Sequence, residues 1–588
     1  MPRTLICHWS SDIGHLLFRT RRAVLRIAAS IISHWALVVG HSCAALFLAA
    51  GTFTAPVAFA QDEPWLKARP ERMREWQDLG FGLFMHWDPS SILGVEISWH
   101  RQSPFNGPIP DEVYDNLYRS FYPGQFDAAA IAQTAKAAGM RYIVITAKHH
   151  GGFSMFDSAH TDYDIMGTPF KRDIIKELAD ATRAAGLLFG IYYSQPDWHH
   201  PAFLAKDWDA YNKFFYGQMR ELCTNYGEIS MIFFDAISYG SSQYKPKELF
   251  KMIRELQPNV VINNRCGLPG DYDTPEQVVG AFQTHRPWET CMTLSTSWSW
   301  KTYDKIRSPA ECVRLLVMTA GSGGNLLLNV GPMPTGQIEP RQAEVLQKVG
   351  NWLSRNGHAL LAHRAGPYKP ALWGASVHKD HTIYLHILSW ADLPDALPAL
   401  PAKITSITHL DGRRVTFTHD ERGLRLSVPA AERDQLNTIL KLTLDPSGPA
   451  AKDLAPLLVP TRSLARLKPV AASTDVANAK NLVDDDPATQ WVSDSRQCWA
   501  EIDLGADRRF SRVDIREEGH AWETRTKSFE ILVRPAASSA DTWQTIERGT
   551  SIGSTYTKKI PPVTARYVRL KINDSGALPR FSEIQLYD

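Results

Sequence analysis

Cysteine is scarce in this chain of 588 residues. There are seven, Cys7, Cys43, Cys223, Cys266, Cys291, Cys312 and Cys498, and no two stand in a CxxC spacing. That excludes a disulfide scaffold and a cysteine-rich zinc site. Net charge is also nearly absent: 64 Lys and Arg against 62 Asp and Glu leave +2, which gives no reason to expect nucleic acid or an anionic surface as partner. After the first sixty residues no apolar run is long enough to span a bilayer. No period of about 20–50 residues recurs, so a solenoid is excluded. What remains is ordinary globular composition, 44% hydrophobic and 21% charged, in a chain long enough for two to four domains at about 150 residues each. The one excess is tryptophan, with 18 residues. Indole faces stack on the apolar faces of sugars, and large cores also bury them.

The N-terminus reads as a secretory signal. Arg19, Arg21, Arg22 and Arg26 precede an apolar stretch that ends in "APVAFAQDEP", where Ala58-Phe59-Ala60 has the small-x-small form of a cleavage site. Residues 1–60 are therefore expected to be removed, with the mature chain starting near Gln61 and the protein secreted or periplasmic. "TRRAVLR" loosely resembles a twin-arginine signal, and an uncleaved anchor helix is the competing reading. Cleavage would leave five cysteines, an odd number that cannot all pair. One internal bridge stays open, with no pairing assigned.

From about residue 125 one unit repeats: an amphipathic helix, a Gly or Pro stop, then a short apolar strand. "FDAAAIAQTAKAAGM" feeds "RYIVITA", "KRDIIKELADATRAAG" feeds "LLFGIYYS", "WDAYNKFFYGQMRELCTNYG" feeds "ISMIFFD", and "PKELFKMIRELQP" feeds "VVINNR". "FGLFMHW" and "GNLLLNVG" add strands at either side. Apolar runs of this kind are parallel strands buried on both faces, so residues 61–356 are expected to form a (β/α)8-like barrel. A doubly wound open sheet is the rival, disfavoured because no glycine-rich phosphate loop follows the first strand. Residues 357–446 carry short strands with turn signals, such as "HTIYLHILSW" and "TILKLTL", and read as a small β-sandwich. Residues 447–463, rich in Pro and Ala, read as a linker, and residues 464–588 as a second all-β module.

In such barrels the active site lies at the C-terminal ends of the strands. The polar residues found there are His86 and Trp87, His149 and His150, Tyr192 and Tyr193, Asp197 and Trp198, Asp235, and Asn263 to Arg265. Asp235 ends the run "ISMIFFD", with Phe233 and Phe234 beside it. A lone carboxylate on a rigid apolar strand suits a nucleophile, and also suits a turn cap. A retaining glycosidase needs a second carboxyl group ~5–5.5 Å away. Glu276, Glu289 and Glu96 are the candidates. Adjacent histidines on a strand point to opposite faces, so His149 and His150 converge only if the chain bends at Gly151 and Gly152. Hydroxyl-binding imidazoles fit this better than metal ligands, which would need Asp157, His86 or Asp235 as further donors.

These segments, with "EISWHR", "AKHHGGFSMFDSAHTDYDI", "GDYDTPEQ" and "WETCMTLSTSWSW", resemble in order the α-L-fucosidases of glycoside hydrolase family 29, over about residues 65 to 440. The resemblance implies release of α-L-fucose by a retaining double displacement, with no cofactor for catalysis. It implies Asp235 as nucleophile and Glu276 as acid/base, with His86, His149, His150, Tyr193 and Arg265 on the sugar hydroxyls. Tyr192 is the neighbouring alternative to Tyr193. Glu96 and Trp99 match a pair near the sugar, and Phe233 and Glu289 belong with the substrate contacts. Phe233 stands where many members have Trp, and Gly151 where Asp is common. The last module, through "NLVDDDPATQWVS", "CWAEIDLG" and "FSEIQLYD", resembles the discoidin or coagulation-factor C-type domain. That implies a fucosylated-glycan tether, and a structural calcium near Asp484, Asp486, Thr489 and Glu583. A non-catalytic glycan-binding protein and a metal-dependent hydrolase are the alternative functions.

Overall fold

The computed structural model describes residues 64–235, 242–487, 489–517, 525–539, 541–553 and 556–588. The expected signal segment lies outside the described residues. Among them, no helix is long and apolar enough to cross a membrane.

Strands β1 (Phe81–Met85), β2 (Tyr142–Lys148), β3 (Leu188–Tyr193), β4 (Met231–Phe234), β5 (Val261–Ile262), β6 (Glu289–Thr293) and β7 (Asn325–Val330) form one sheet. Their order is β5-β4-β3-β2-β1-β7-β6, and each pairing is parallel. Parallel neighbours require crossovers. Helices α1 (Ala128–Ala137), α2 (Ile174–Ala184), α3 (Trp208–Asn225), α4 (Pro246–Leu256) and α5 (Pro309–Ser322) supply them. Asp127, Asp173 and Asp207 start α1, α2 and α3 by accepting a backbone N–H of the first turn, and Ser308 with Glu311 makes a capping box on α5. Gly186, at φ +78°, turns the chain out of α2 and into β3.

Between β5 and β6 there is no helix among these elements. The chain instead makes single parallel bridges, Asn263 to Tyr272, Asp273 to Trp288 and Glu276 to Cys291. Segment 272–276 thus fills the eighth position and closes the ring, which excludes the open doubly wound sheet. The barrel is (β/α)8-like, with one stave reduced to bridges, and that stave carries Glu276.

The following sandwich has a five-stranded antiparallel sheet, flanked by the hairpin of Thr416–Asp420 and Gly423–Ser427. The segment 447–463 is not a free tether. Its Leu454 and Val459 pack into the sandwich core, and Leu457 exchanges backbone hydrogen bonds with Pro367 and Lys369. The last module is an antiparallel sheet with its own core, built around Cys498–Glu517 and Tyr556–Ser575. The ion pair Arg512–Asp392 (2.7 Å) joins it to the sandwich, and Arg462–Asp395 (2.6 Å) ties the 447–463 segment there as well.

Candidate active site

Period-2 alternation delivers the site. Phe84, Val144, Tyr192, Met231 and Phe233 face the barrel lumen, while Leu83, Ile143, Tyr193, Ile232 and Phe234 pack against the helices. Two residues beyond Phe84 and Phe233, the lumen face carries His86 and Asp235 at the C-terminal strand ends.

Asp235 is held from several sides. Its Oδ2 accepts from the Tyr192 hydroxyl at 2.8 Å, its Oδ1 from Arg265 Nη1 at 3.1 Å, and its backbone N–H donates to Gln195 Oε1 at 3.1 Å. His150 Nε2 lies 3.6 Å from Oδ2. Burial pushes the carboxyl pKa up, but the Arg265 charge and the hydrogen bonds from Tyr192 and Arg265 outweigh it and hold Asp235 below the ordinary aspartate value. It is a carboxylate at neutral pH.

Arg265 is fixed by Thr274, to which its Nε donates through the hydroxyl and its Nη2 through the carbonyl, both at 2.9 Å. That leaves Nη1 aimed at two carboxylates. It lies 3.1 Å from Asp235 Oδ1 and 2.8 Å from Glu276 Oε2, so these two oxygens are less than about 6 Å apart. The guanidinium sits over the Phe233 ring at 5.2 Å.

The partners of His86 and His150 assign their tautomers. Asn329 uses its amide N–H on Trp298 O (2.6 Å), so its Oδ1 accepts from His86 Nδ1 at 2.7 Å, and His86 Nε2 is an acceptor. Ser194 donates its one proton to Pro196 O (2.8 Å), so it accepts from His150 Nδ1 at 2.6 Å, and His150 Nε2 is also an acceptor. Ser98 Oγ accepts from the Gly151 N–H at 2.7 Å and is hydrogen-bonded to His149 Nδ1 at 2.7 Å, which orients that ring. Burial pushes His86 and His150 down to about 4 and holds His149 well below the ordinary histidine value, so all three are neutral. Neutral imidazoles at the rim match sugar hydroxyls, which both donate and accept.

Behind them, Lys148 is fully buried and pairs with Asp197 at 3.2 Å. Asp197 in turn takes the backbone N–H groups of His199 and His200, and Trp198 stacks on His150 at 5.0 Å. Gly152 has φ +84°, and a Cβ there would stand 2.3 Å from Asp197 Oδ1, so no other residue fits. At Gly151 a Cβ would stand 3.1 Å from Ser98 Oγ. A carboxylate at that position would crowd the hydroxyl that orients His149. Trp99, 44% exposed, stands edge-on to His150 (5.6 Å) and beside Phe105 (5.2 Å) at the mouth. Glu96 accepts from the backbone N–H groups of Trp298 and Ser299, both at 3.0 Å, and so fixes the loop that lays Trp298 against His86.

Three expected contacts are placed elsewhere. Tyr193 is on the helix side of β3, donating to Gln218 Oε1 at 2.7 Å and stacking on Phe215; Tyr192 takes its place because strand parity turns that side chain inward. Phe233 is 1% exposed and forms the floor under Arg265 rather than a wall. Glu289 is the first residue of β6, so it lies at the opposite, N-terminal end of the barrel. It is fully buried against Tyr142, which donates a hydrogen bond to it, and burial raises its pKa to about 8. A group whose pKa is raised on folding contributes stability that is complete below the unfolded value and is lost as pH rises through the folded one. Glu289→Gln is therefore expected to flatten the fall in Tm between about pH 4.5 and 8, with little change at the acid end, measured by calorimetry across that range.

Residues missed from sequence are Ser98, Ser194, Gln195 and Asn329. Asn329 had a signal, as a polar residue near the C-terminal end of an apolar strand. The five described cysteines are all buried and unpaired.

In the last module, Thr489 donates to Asp484 Oδ2 at 2.8 Å, and Asp486 N–H to Asp484 Oδ1 at 3.0 Å. Glu583 is 2% exposed, and neither carboxyl oxygen has a hydrogen-bond partner. Burial, then Asp485 and Asp484, push its pKa to about 9. Among the described residues no three His, Cys, Asp or Glu side chains converge as metal ligands. Calcium here would need the Thr489 hydroxyl and backbone carbonyls beside the carboxylates, a donor set that suits this ion. The orphaned Glu583 carboxyl fits such a hard cation.

Residues 53–358 match the family model described as alpha-L-fucosidase, and residues 481–570 match the NedA-like, galactose-binding domain. The rat plasma alpha-L-fucosidase is 29% identical over 385 residues, covering 59% of this chain and 84% of that one. The structure of alpha-L-fucosidase isoenzyme 1 from Paenibacillus thiaminolyticus is 36% identical, with a TM-score of 0.59, covering 64% of this chain and 99% of that one. A Bacteroides thetaiotaomicron alpha-L-fucosidase of family GH29, trapped as a covalent intermediate, shares the fold at 24% identity and a TM-score of 0.58, covering 64% and 97% of the two chains.

Proposed function

The chain belongs to the alpha-L-fucosidase family of glycoside hydrolases, and from that premise we propose that it is a retaining exo-α-L-fucosidase with Asp235 as nucleophile and Glu276 as acid/base. The observation that carries this reading is the single Arg265 nitrogen bonded to both carboxylates. It keeps their nearest oxygens below the ~6.5–9.5 Å that an inverting enzyme needs to seat a water, and close to the ~5–5.5 Å of a retaining one.

Asp235 attacks the anomeric carbon as Glu276 protonates the departing oxygen. The C1–O bond to the leaving group breaks as the C1–Oδ bond forms, through an oxocarbenium-like transition state. Tyr192 and Arg265 keep Asp235 ionised and aligned before the attack. Glu276, now a carboxylate, then takes a proton from water, which displaces Asp235 and restores both groups. His86 and His150 accept from sugar hydroxyls, and His149 hydrogen-bonds a further one.

Two other readings are weaker. A metal-dependent hydrolase needs converging ligands, and among the described residues no three His, Cys, Asp or Glu side chains converge as metal ligands. A binding protein without chemistry has no use for the shared arginine. Proton NMR during hydrolysis of an aryl α-L-fucoside tests the proposal. The α anomer of fucose is expected first; the β anomer first would mean inversion, and no release would favour a binding protein.

The C-terminal module is inferred to hold fucosylated glycan near the barrel. The docked 447–463 segment makes this a fixed neighbour rather than a swinging tether, so it raises local substrate concentration only at a set geometry. Calcium on Asp484, Asp486, Thr489 and Glu583 would stabilise this module and take no part in catalysis. Chelation is expected to lower the module's unfolding temperature by a few degrees, restored by added Ca2+, while turnover of an aryl fucoside stays constant. An unchanged Tm with and without Ca2+ would remove calcium from the account.

A further inference from the structure

A cavity of about 450 Å³ opens beside Glu276, lined among others by Glu96, Gln277, Thr293, Lys305 and Arg307. We propose that this cavity is the aglycone subsite and that it selects glycans whose leaving group carries an anionic sugar, carboxylated or sulfated. The proposal rests on the fucosidase reading above and names its substrate class.

The acid/base must touch the oxygen that departs, so the leaving sugar has to lie against Glu276, which is part of this cavity's wall. The Thr293, Ser295 and Thr296 side chains and the Gln277 amide supply polar groups to its wall, and Trp298 is its one aromatic face. The carboxylates in the lining are already committed. Glu276 is paired with Arg265, Glu96 accepts backbone donors from Ile97, Trp298 and Ser299, and Glu311 closes the capping box with Ser308. The cations are not. Arg307 spends Nε on the Thr293 carbonyl at 2.8 Å, which holds its guanidinium at the cavity, and neither it nor Lys305 has an ion pair among the described residues. Glu311 is near enough for both charges to help lower its pKa, but Ser308 is the larger cause. Lys305 and Arg307 form no ion pair among the described residues, whereas each carboxylate of the lining already accepts hydrogen bonds, so an anion carried in on the substrate would find its strongest partners in these two cations. The same loop presents Tyr303, 94% exposed, as a further ring for a larger glycan.

The test compares kcat/KM on matched fucosylated oligosaccharides that are neutral, carboxylated (sialylated) or sulfated on the leaving sugar, in wild type, Lys305→Ala and Lys305→Glu. An aryl fucoside reports whether chemistry survives in each protein. Wild type is expected to prefer at least one acidic substrate by roughly tenfold at low salt, with the ratio falling as salt is raised. Lys305→Ala should cut that ratio roughly threefold, and Lys305→Glu should erase or invert it. Preference for only one acid identifies the anion. Equal or lower kcat/KM on both acidic substrates, with the aryl fucoside still hydrolysed, overturns the subsite proposal alone. Failure to hydrolyse any fucoside overturns the fucosidase reading, and this proposal with it.

Discussion

Asp235→Ala lowers kcat/KM on an aryl α-L-fucoside by about four orders of magnitude, the scale expected when a nucleophile is lost and binding survives. The substitution removes the one oxygen pair aligned by Tyr192 and Arg265, while the three neutral histidines proposed to meet the sugar are untouched. KM should therefore change far less than kcat. Azide added to this variant enters the vacated side of C1 and gives the β-fucosyl azide, with inverted configuration. Full activity in Asp235→Ala would end the assignment, and circular dichroism guards against the trivial case of a misfolded protein. Arg265 keeps Glu276 as a partner in the variant, so its charge is not stranded in the barrel.

Glu276→Ala is expected to cost roughly 10²–10⁴-fold on natural glycans, the range for loss of general acid catalysis. The size depends on the leaving group. A fucoside with an acidic phenol needs no proton to depart, so its first step is nearly unaffected and the covalent intermediate accumulates. Azide then attacks that intermediate without a general base and yields the α-fucosyl azide. The opposite configurations from the two variants separate nucleophile from acid/base in one pair of spectra. A Glu276→Ala loss that ignores the leaving group would move the acid elsewhere, Glu96 being an alternative carboxyl group in the cavity wall.

Much of the site is legible because parallel strands buried on both faces read as apolar runs, and the polar residue that ends each run lies at the catalytic rim. His86, His149, His150, Asp235 and Arg265 were reached that way. Parity was the weak point. Tyr192 and Tyr193 are equivalent in "GIYYS" until the strand is phased against Phe233 and Asp235. Glu289 shows the same limit in the other direction, since a glutamate that opens an apolar strand lies at the far end of the barrel from one that closes it. The stave 272–276 has no apolar run to announce it, because "YDTPE" makes only single bridges. Ser98 and Ser194 were invisible: serine is common, and their roles exist only through the backbone and imidazole groups around them. The Pro- and Ala-rich composition of 447–463 read as a linker, but Leu454 and Val459 bury against the sandwich and dock it.

The most direct measurement is to find where fucose becomes bonded to the protein. The enzyme is incubated with a 2-deoxy-2-fluoro-fucosyl fluoride, digested, and the labelled peptide sequenced by mass spectrometry. The predicted result is one adduct per chain, on Asp235, released slowly as activity returns. A label on Glu276, Glu96 or any other residue, or steady turnover with no adduct and the β anomer as first product, would contradict it.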